Sequence, residues 1–262
     1  VFCMILAALG SGLVCGTING VLVGYAKMPP FIVTLGTMLI YRSLTLSVVR
    51  DIDPALTGSS SSQFALISDM PSYDFLRMRF GTGSLRLGSI MIPYIAFLFV
   101  ALTLFFIFMM SNTKYGKSVY AVGSNEKTAR LTGINVEAVK VSVFSVTGLL
   151  VGVASFIQAC KIGNVTPASS GISYEMYAIA VVVLGGFSTA GGKGNIIGVI
   201  LSVIIFGVMK KGLGTLYGFA DSTVNLAVGL VLIVASLLPN VMEDISNKIR
   251  VKRQHVSIKA TE

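Results

Sequence analysis

The chain has 262 residues, of which 54% are hydrophobic and 12% charged, and its mean hydropathy is +0.83. A soluble domain carries about twice that share of charge, so a water-soluble fold is excluded and lipid is the solvent to reason with. The net charge of +9 comes without any nucleic-acid-binding motif and fits basic loops lying against anionic lipid.

A membrane-crossing helix needs about 20 mostly apolar residues. By that criterion seven spans are expected, at 1–26, 30–49, 89–110, 140–160, 174–187, 196–210 and 222–238. The fold class is therefore all-α, a polytopic transmembrane helical bundle. The chain opens at Val1 inside an apolar stretch with no Met and no basic leader region. Residues 1–26 thus read as a span rather than a signal peptide, and the sequence as an N-terminally truncated piece of a longer protein. In this first span Gly12, Gly16, Gly20 and Gly24 recur every fourth residue. Weaker echoes follow at Gly148/Gly152 and Gly194/Gly198/Ser202. Such stripes let backbones approach closely in lipid, and packing inside the bundle is preferred here to a dimer interface.

The second span carries Arg42 near its middle. A charge there costs roughly 2.5–3.5 kcal/mol on insertion scales, so Arg42 is expected to face protein or water. The loop 50–88 follows, with Ser59–Ser62 and Asp51, Asp53, Asp69 and Asp74. It reads as solvated, with one short helix near 62–68 and no metal-ligand spacing. The fifth span is short and ends in Gly185-Gly186. A discontinuous or tilted helix fits it, which at depth requires surrounding protein or a water-filled cavity. Gly191-Gly192-Lys193-Gly194 looks like a phosphate loop, but Phe187 stands where its first Gly belongs and Gly194 where Ser or Thr should hold magnesium. A glycine-rich reversal between two helices is the better reading.

Orientation follows from the basic residues. Lys114, Lys117, Lys127 and Arg130 lie in the loop 111–139, and Lys248, Arg250, Lys252, Arg253 and Lys259 in the tail 239–262. Four crossings separate the two, so both fall on one side, which the positive-inside rule makes cytoplasmic. Lys27 agrees, whereas Arg77, Arg79 and Arg86 fall on the outer side and disagree.

Catalytic and metal chemistry have no carriers. The single His, His255, is in the tail, no two carboxylates share a span, and Cys3, Cys15 and Cys160 sit in apolar stretches without ligand spacing. The chain is expected to be no enzyme and to bind no metal or cofactor. An Asp/Glu proton relay is also missing, so active transport would draw its energy from another polypeptide.

The loop 111–139 is the most structured-looking part outside the spans. Ser124 or Asn125 suits a helix N-cap, Glu126 its positive end, Gly133 a left-handed closure, and Asn135 the cap of the next helix. A short charged helix over 125–132, lying crosswise at the surface, is expected.

Gly116 and the run Tyr120-Ala121-Val122-Gly123-Ser124-Asn125-Glu126-Lys127-Thr128-Ala129-Arg130-Leu131-Thr132-Gly133-Ile134 resemble the cytoplasmic coupling loop of permease subunits from ribose-type sugar ABC importers. The stretch Pro29–Thr37, and Tyr174-Glu175 through Ala178-Ile179-Ala180, Val183–Gly186 and Gly191–Gly194, resemble the same family. Departures are Thr128, where the family commonly has Ala, and a longer, more basic 70–86 segment. The resemblance implies ten spans in a full-length protein, residues 1–238 being the permease domain, in a bacterial-type inner membrane. It implies a second permease subunit, identical or not, an ATPase subunit that uses the ATP, and an extracytoplasmic sugar-binding protein. Gly116, Gly123, Asn125, Glu126, Ala129, Arg130 and Gly133 would make the ATPase contact. In that setting Glu126 and Arg130, four apart, would pair or present a charged edge. Small Ala129 would let the face sit in a groove of the partner, with Gly123 and Gly133 fixing the helix angle.

Asn19, Thr34 and Thr37 are polar groups inside spans, and with Glu175 they are the candidate translocation-path residues. The solute expected is a monosaccharide or similar small polar molecule. A nucleoside or branched-chain amino-acid ABC permease is the nearest alternative, and a self-powered secondary carrier a more distant one.

Overall fold

The computed structural model describes residues 2–51, 73–87, 90–163, 165, 170–188, 191–212 and five positions between 226 and 233. The expected helix near 62–68, most of the seventh span and the tail 239–262 lie outside the described residues. Two compact units divide the chain, Val1–Ser170 and Gly171–Glu262.

The first unit contains α1 (Phe2–Gly24), α2 (Pro30–Asp51), and α3 (Tyr73–Leu76), which runs into a π-helical turn, Arg77–Gly81. Strands β1 (Ser84–Leu87) and β2 (Ile90–Pro93) follow, then α4 (Tyr94–Asn112), α5 (Lys114–Ser124), α6 (Glu126–Leu131) and α7 (Val136–Ile162). The second unit holds α8 (Tyr174–Leu184) and α9 (Ile196–Lys211). Among the described residues four helices are long and apolar enough to cross a membrane: α1, α2, α4 and α7.

The all-α expectation needs one correction. Residues 84–87 and 90–93 pair as a small antiparallel hairpin, Leu85 opposite Ile92 and Arg86 opposite Met91. The third long helix accordingly starts at Tyr94, not at 89, because Pro93 takes an extended conformation at its N-cap and β-branched Ile90 and Ile92 are in the ladder. The fourth, α7, begins earlier than the apolar run does, at Val136, because the Asn135 side chain caps it through the Ala138 amide at 2.9 Å.

The core of the first unit is the antiparallel pair α1 and α7. A Cβ at Gly16 would lie 2.5 Å from the Phe144 carbonyl oxygen, at Gly20 2.8 Å from Val141 Cα, and at Gly24 3.0 Å from the Glu137 carbonyl oxygen. Gly12 meets Gly148 and Gly152 backbone to backbone. The glycine stripe is therefore used up inside the chain, as the preferred reading had it. Thr17 and Ser145 exchange a hydroxyl hydrogen bond of 2.9 Å across the same contact.

These pairings also sort the loops. Gly24, and Lys27 just beyond it, stand at the Glu137 end of the pair. At the other end Leu76, fully buried, packs with Phe156 and Cys160 against Met4, Ile5 and Ala8. Phe80 meets Phe156 edge to face at 5.5 Å, and Arg79 lies over the Tyr94 ring at 5.6 Å. Residues 25–29 and 113–135 thus share one end of the pair, and 73–93 the opposite end. α1, with 23 residues, separates the two ends by about 34 Å at 1.5 Å per residue. Arg42 is half-buried in α2 rather than fully open.

Candidate functional site: the loop between α4 and α7

α4 ends at Thr113, whose hydroxyl donates to the Met109 carbonyl at 2.6 Å and accepts from the Gly116 amide at 3.2 Å. The chain turns sharply here. A Cβ at Gly116 would fall within 2.6 Å of Met110 Cα, so Gly116 is the residue that lets α5 leave α4 at this corner. α5 itself was not anticipated as a separate helix. Its signal is present, since Tyr115, Val119 and Val122 recur at helical spacing behind the Thr113 cap.

α5 stops at Asn125, which caps α6. Its Oδ1 accepts from the amides of Lys127 at 3.0 Å and Thr128 at 3.1 Å, so of the two expected caps Asn125 is the one used. Gly123 lies in the last turn of α5. Gly133 takes φ +82°, and α6 closes with the Ile134 amide on the Ala129 carbonyl and the Gly133 amide on that of Arg130, each 3.1 Å. Ile134 then packs on the cluster of Val122, Ala129 and Val136, the apolar contact that accompanies such a closure.

One of two alternatives for the charges of α6 is removed, and the expectation for Ala129 is overturned. Glu126 and Arg130 do not pair with each other. Glu126 meets Lys140 at 2.6 Å and Arg130 meets Glu137 at 2.7 Å, because α7 begins early enough to bring two charged residues of its first turns alongside. Ala129 does not face outward either. It is 2% exposed and fills the space between α5 and α7, so its small size serves the loop's own core. The ion pairs are half-exposed, but both run from α6 to α7 and so tie the short helix to a membrane span. Between α5, the start of α6 and α7 lies a cavity of about 390 Å³ lined by Val122, Asn125, Glu126, Lys140 and Phe144 among others.

What α6 turns outward is Lys127, Thr128 and Leu131. Leu131 is 88% exposed, the highest value for a large apolar side chain among the described residues, and it is outside the apolar spans. Sequence reading had no reason to single it out.

The path candidates are dispersed. Thr37 is buried and its hydroxyl donates back to the Val33 carbonyl at 2.9 Å, while Thr34 donates to Pro30 at 3.0 Å. Both hydroxyls keep free acceptor lone pairs. Asn19 Oδ1 is buried without a hydrogen-bond partner. One turn earlier the Cys15 carbonyl accepts the Tyr41 hydroxyl at 3.4 Å, and one turn from Tyr41 is Thr37, so Asn19 and Thr37 stand at the same level of α1 and α2. Glu175 is exposed in the first turn of α8, in the other unit. Among the described residues no group of His, Cys, Asp and Glu is placed to hold a metal ion.

Comparison with known proteins covers most of the chain. It is 38% identical to the ribose import permease protein of Bacillus subtilis over 84% of this chain and 62% of that protein. It is 36% identical to the galactose/methyl galactoside import permease protein of Haemophilus influenzae, over 80% of this chain and 58% of that one. The fructose import permease protein of Rhizobium meliloti is 32% identical over 88% and 60%. The chain thus spans about three-fifths of the length of these curated relatives. No solved structure matches it. Residues 1–236 match the family model for the permease component of branched-chain amino acid transport systems, and the chain belongs to that family of transport permeases.

Proposed function

We propose that this chain is the membrane-spanning permease subunit of an ATP-driven importer that carries a monosaccharide or similar small polar solute. The identity to permeases named for ribose, galactose and fructose import favours a sugar over an amino acid, despite the family's description. In this reading it catalyses no reaction itself. It sits in a bacterial-type inner membrane as a polytopic helical bundle, with a second permease subunit beside it and a binding protein on the outer side. The end of α1–α7 that carries 25–29 and 113–135, together with the basic tail, faces the cytoplasm, where the Lys and Arg bias would place it.

The observation that carries the mechanism is the built state of 113–135. Capped at both ends, closed by Gly133, packed through Ala129 and tied to α7 by two ion pairs, α6 is held stiffly enough to pass a push from an ATPase subunit to a span. Exposed Leu131 is the apolar anchor that such a partner would bury, as interface hot spots do. Closure of the ATPase dimer would then favour one of two packings of the bundle, which is alternating access. Leu131→Ser removes the anchor without touching the loop's core. It should abolish co-purification with the ATPase while the permease keeps its yield and thermal stability. Unchanged co-purification and uptake would remove Leu131 from the contact.

A further inference from the structure

Among the described residues, the second unit holds a helix pair shorter than the hydrocarbon core of a membrane. α8 has 11 residues and α9 has 16, or about 16 Å and 24 Å at 1.5 Å per residue, against a hydrocarbon core of about 30 Å. Their outer ends are pinned level with each other. The Lys210 ammonium lies over the Tyr177 ring at 4.6 Å; Tyr174 and Glu175 are in the first turn of α8 and Lys211 in the last turn of α9, Tyr and Lys being residues typical of a membrane–water boundary. At the opposite end the helices close together. A Cβ on Gly185 would sit 2.8 Å from Val199 Cα, and Gly198 abuts the Gly185 carbonyl.

The described residues between them have no regular structure. Gly186, Gly191 and Gly192 have φ of +82°, +90° and +71°. The Ser188 amide donates to the Lys193 carbonyl at 3.0 Å and the Gly191 amide to the Ser188 carbonyl at 3.0 Å. Phe187 packs on Gly194. Asn195 caps α9 through the Ile197 amide at 3.0 Å. Measured from the Tyr177–Lys210 level, α8 runs about 11 Å to Leu184 and α9 about 21 Å to Ile196, so this turn lies short of the far surface. Irregular backbone and a lysine at that depth are tolerated only inside protein or beside water, and Ser188, Lys193 and Asn195 are exposed in their own unit.

We propose that α8 and α9 form a re-entrant hairpin, whose tip at Phe187–Ser188 and Gly191–Asn195 ends within the bilayer and lines a water-filled stretch of the transport route. Its hydrogen-bonding groups suit a neutral polyhydroxyl solute better than an apolar one. This deepens the import function proposed above. A re-entrant pair adds no net crossing, so the side of the C-terminal tail is unchanged and only the depth of the tip distinguishes the hairpin from two full spans.

The test uses the full-length permease in its complex, in right-side-out and inside-out vesicles, with Cys3, Cys15 and Cys160 replaced by Ala. Ser188→Cys and Lys193→Cys are each treated with a small impermeant methanethiosulfonate and with a bulky polyethylene-glycol maleimide, Lys127→Cys serving as the surface control. Two positions are used so that either alone decides the outcome if the other fails to assemble. The hairpin requires reaction with the small reagent and loss of the bulky-reagent signal from both sides. Bulky labelling at the rate of the control would put the tip at the surface, and silence with both reagents would make it dry. Either result overturns the proposal. Labelling needs neither ATP nor uptake, so a failure of the ATP-driven reading would leave this result standing.

Discussion

The ion pair between Glu126 and Lys140, 2.6 Å across and with side chains 52% and 26% exposed, can be separated experimentally from any contact with a partner. An exposed pair of this kind contributes about 0.2–1 kcal/mol. Reversing one charge removes that and adds a like-charge repulsion of similar size, so Glu126→Lys or Lys140→Glu should weaken the seating of α6 on α7 by about 1 kcal/mol, or about fivefold. Global stability is untouched, because the cluster of Val122, Ala129 and Val136 persists. The quantity that moves is solute transported per ATP hydrolysed, measured in proteoliposomes holding the full transporter. Each single reversal should lower this ratio several-fold, and the exchanged double variant, Glu126→Lys with Lys140→Glu, should restore it to within about twofold, as direct neighbours couple. A double variant no better than the singles would mean that Glu126 acts on the partner rather than on α7. Singles indistinguishable from the parent would remove the clamp from the mechanism.

Gly16→Val inserts a branched side chain where a single Cβ already lies 2.5 Å from the Phe144 carbonyl oxygen, and should cost about 1–3 kcal/mol. Gly10→Val on the same helix, where a Cβ meets nothing within 4 Å, should leave the melting temperature in detergent almost unchanged, and equal losses at both positions would contradict the packing described. Asn19→Leu removes a buried acceptor that has no partner, so stability should hold or rise while uptake falls if that oxygen meets the solute. Full uptake would exclude Asn19 from the path. Thr34→Val with Thr37→Val should impair uptake and leave ATPase docking intact, and normal uptake in the double variant would reject both. For sidedness, Ser60→Cys should label from outside and Lys127→Cys only from inside, and the reverse pattern would invert the orientation.

The parts of this fold readable from sequence were those fixed by local chemistry. Apolar length located α1, α2 and α7, the four-residue glycine spacing marked the face that α7 covers, and Asn125, Gly133 and Asn135 announced their caps because capping depends on neighbouring backbone groups alone. Long-range choices were not readable. Glu126 and Arg130 satisfy the i, i+4 rule, yet each is claimed by α7, whose start at Val136 is set by the Asn135 cap and not by hydropathy. Ala129 looked like a surface residue because a small side chain on a charged six-residue helix carries no sign of burial. The hairpin 84–93 was absorbed into a span because Ile90, Met91 and Ile92 extend the apolar run, although Gly88-Ser89 between two such runs is a hairpin signal. Of the path candidates, only Asn19 acquired a new reason for attention.

The central claim, that transport through this chain is driven by a separate ATPase, is tested most directly by uptake of a labelled monosaccharide into proteoliposomes. These contain the full-length permease and its binding protein, with or without the ATPase subunit. Accumulation above the external concentration only when ATPase and ATP are both present is the predicted result. Equal accumulation by the permease alone would contradict it and return the chain to the self-powered carriers.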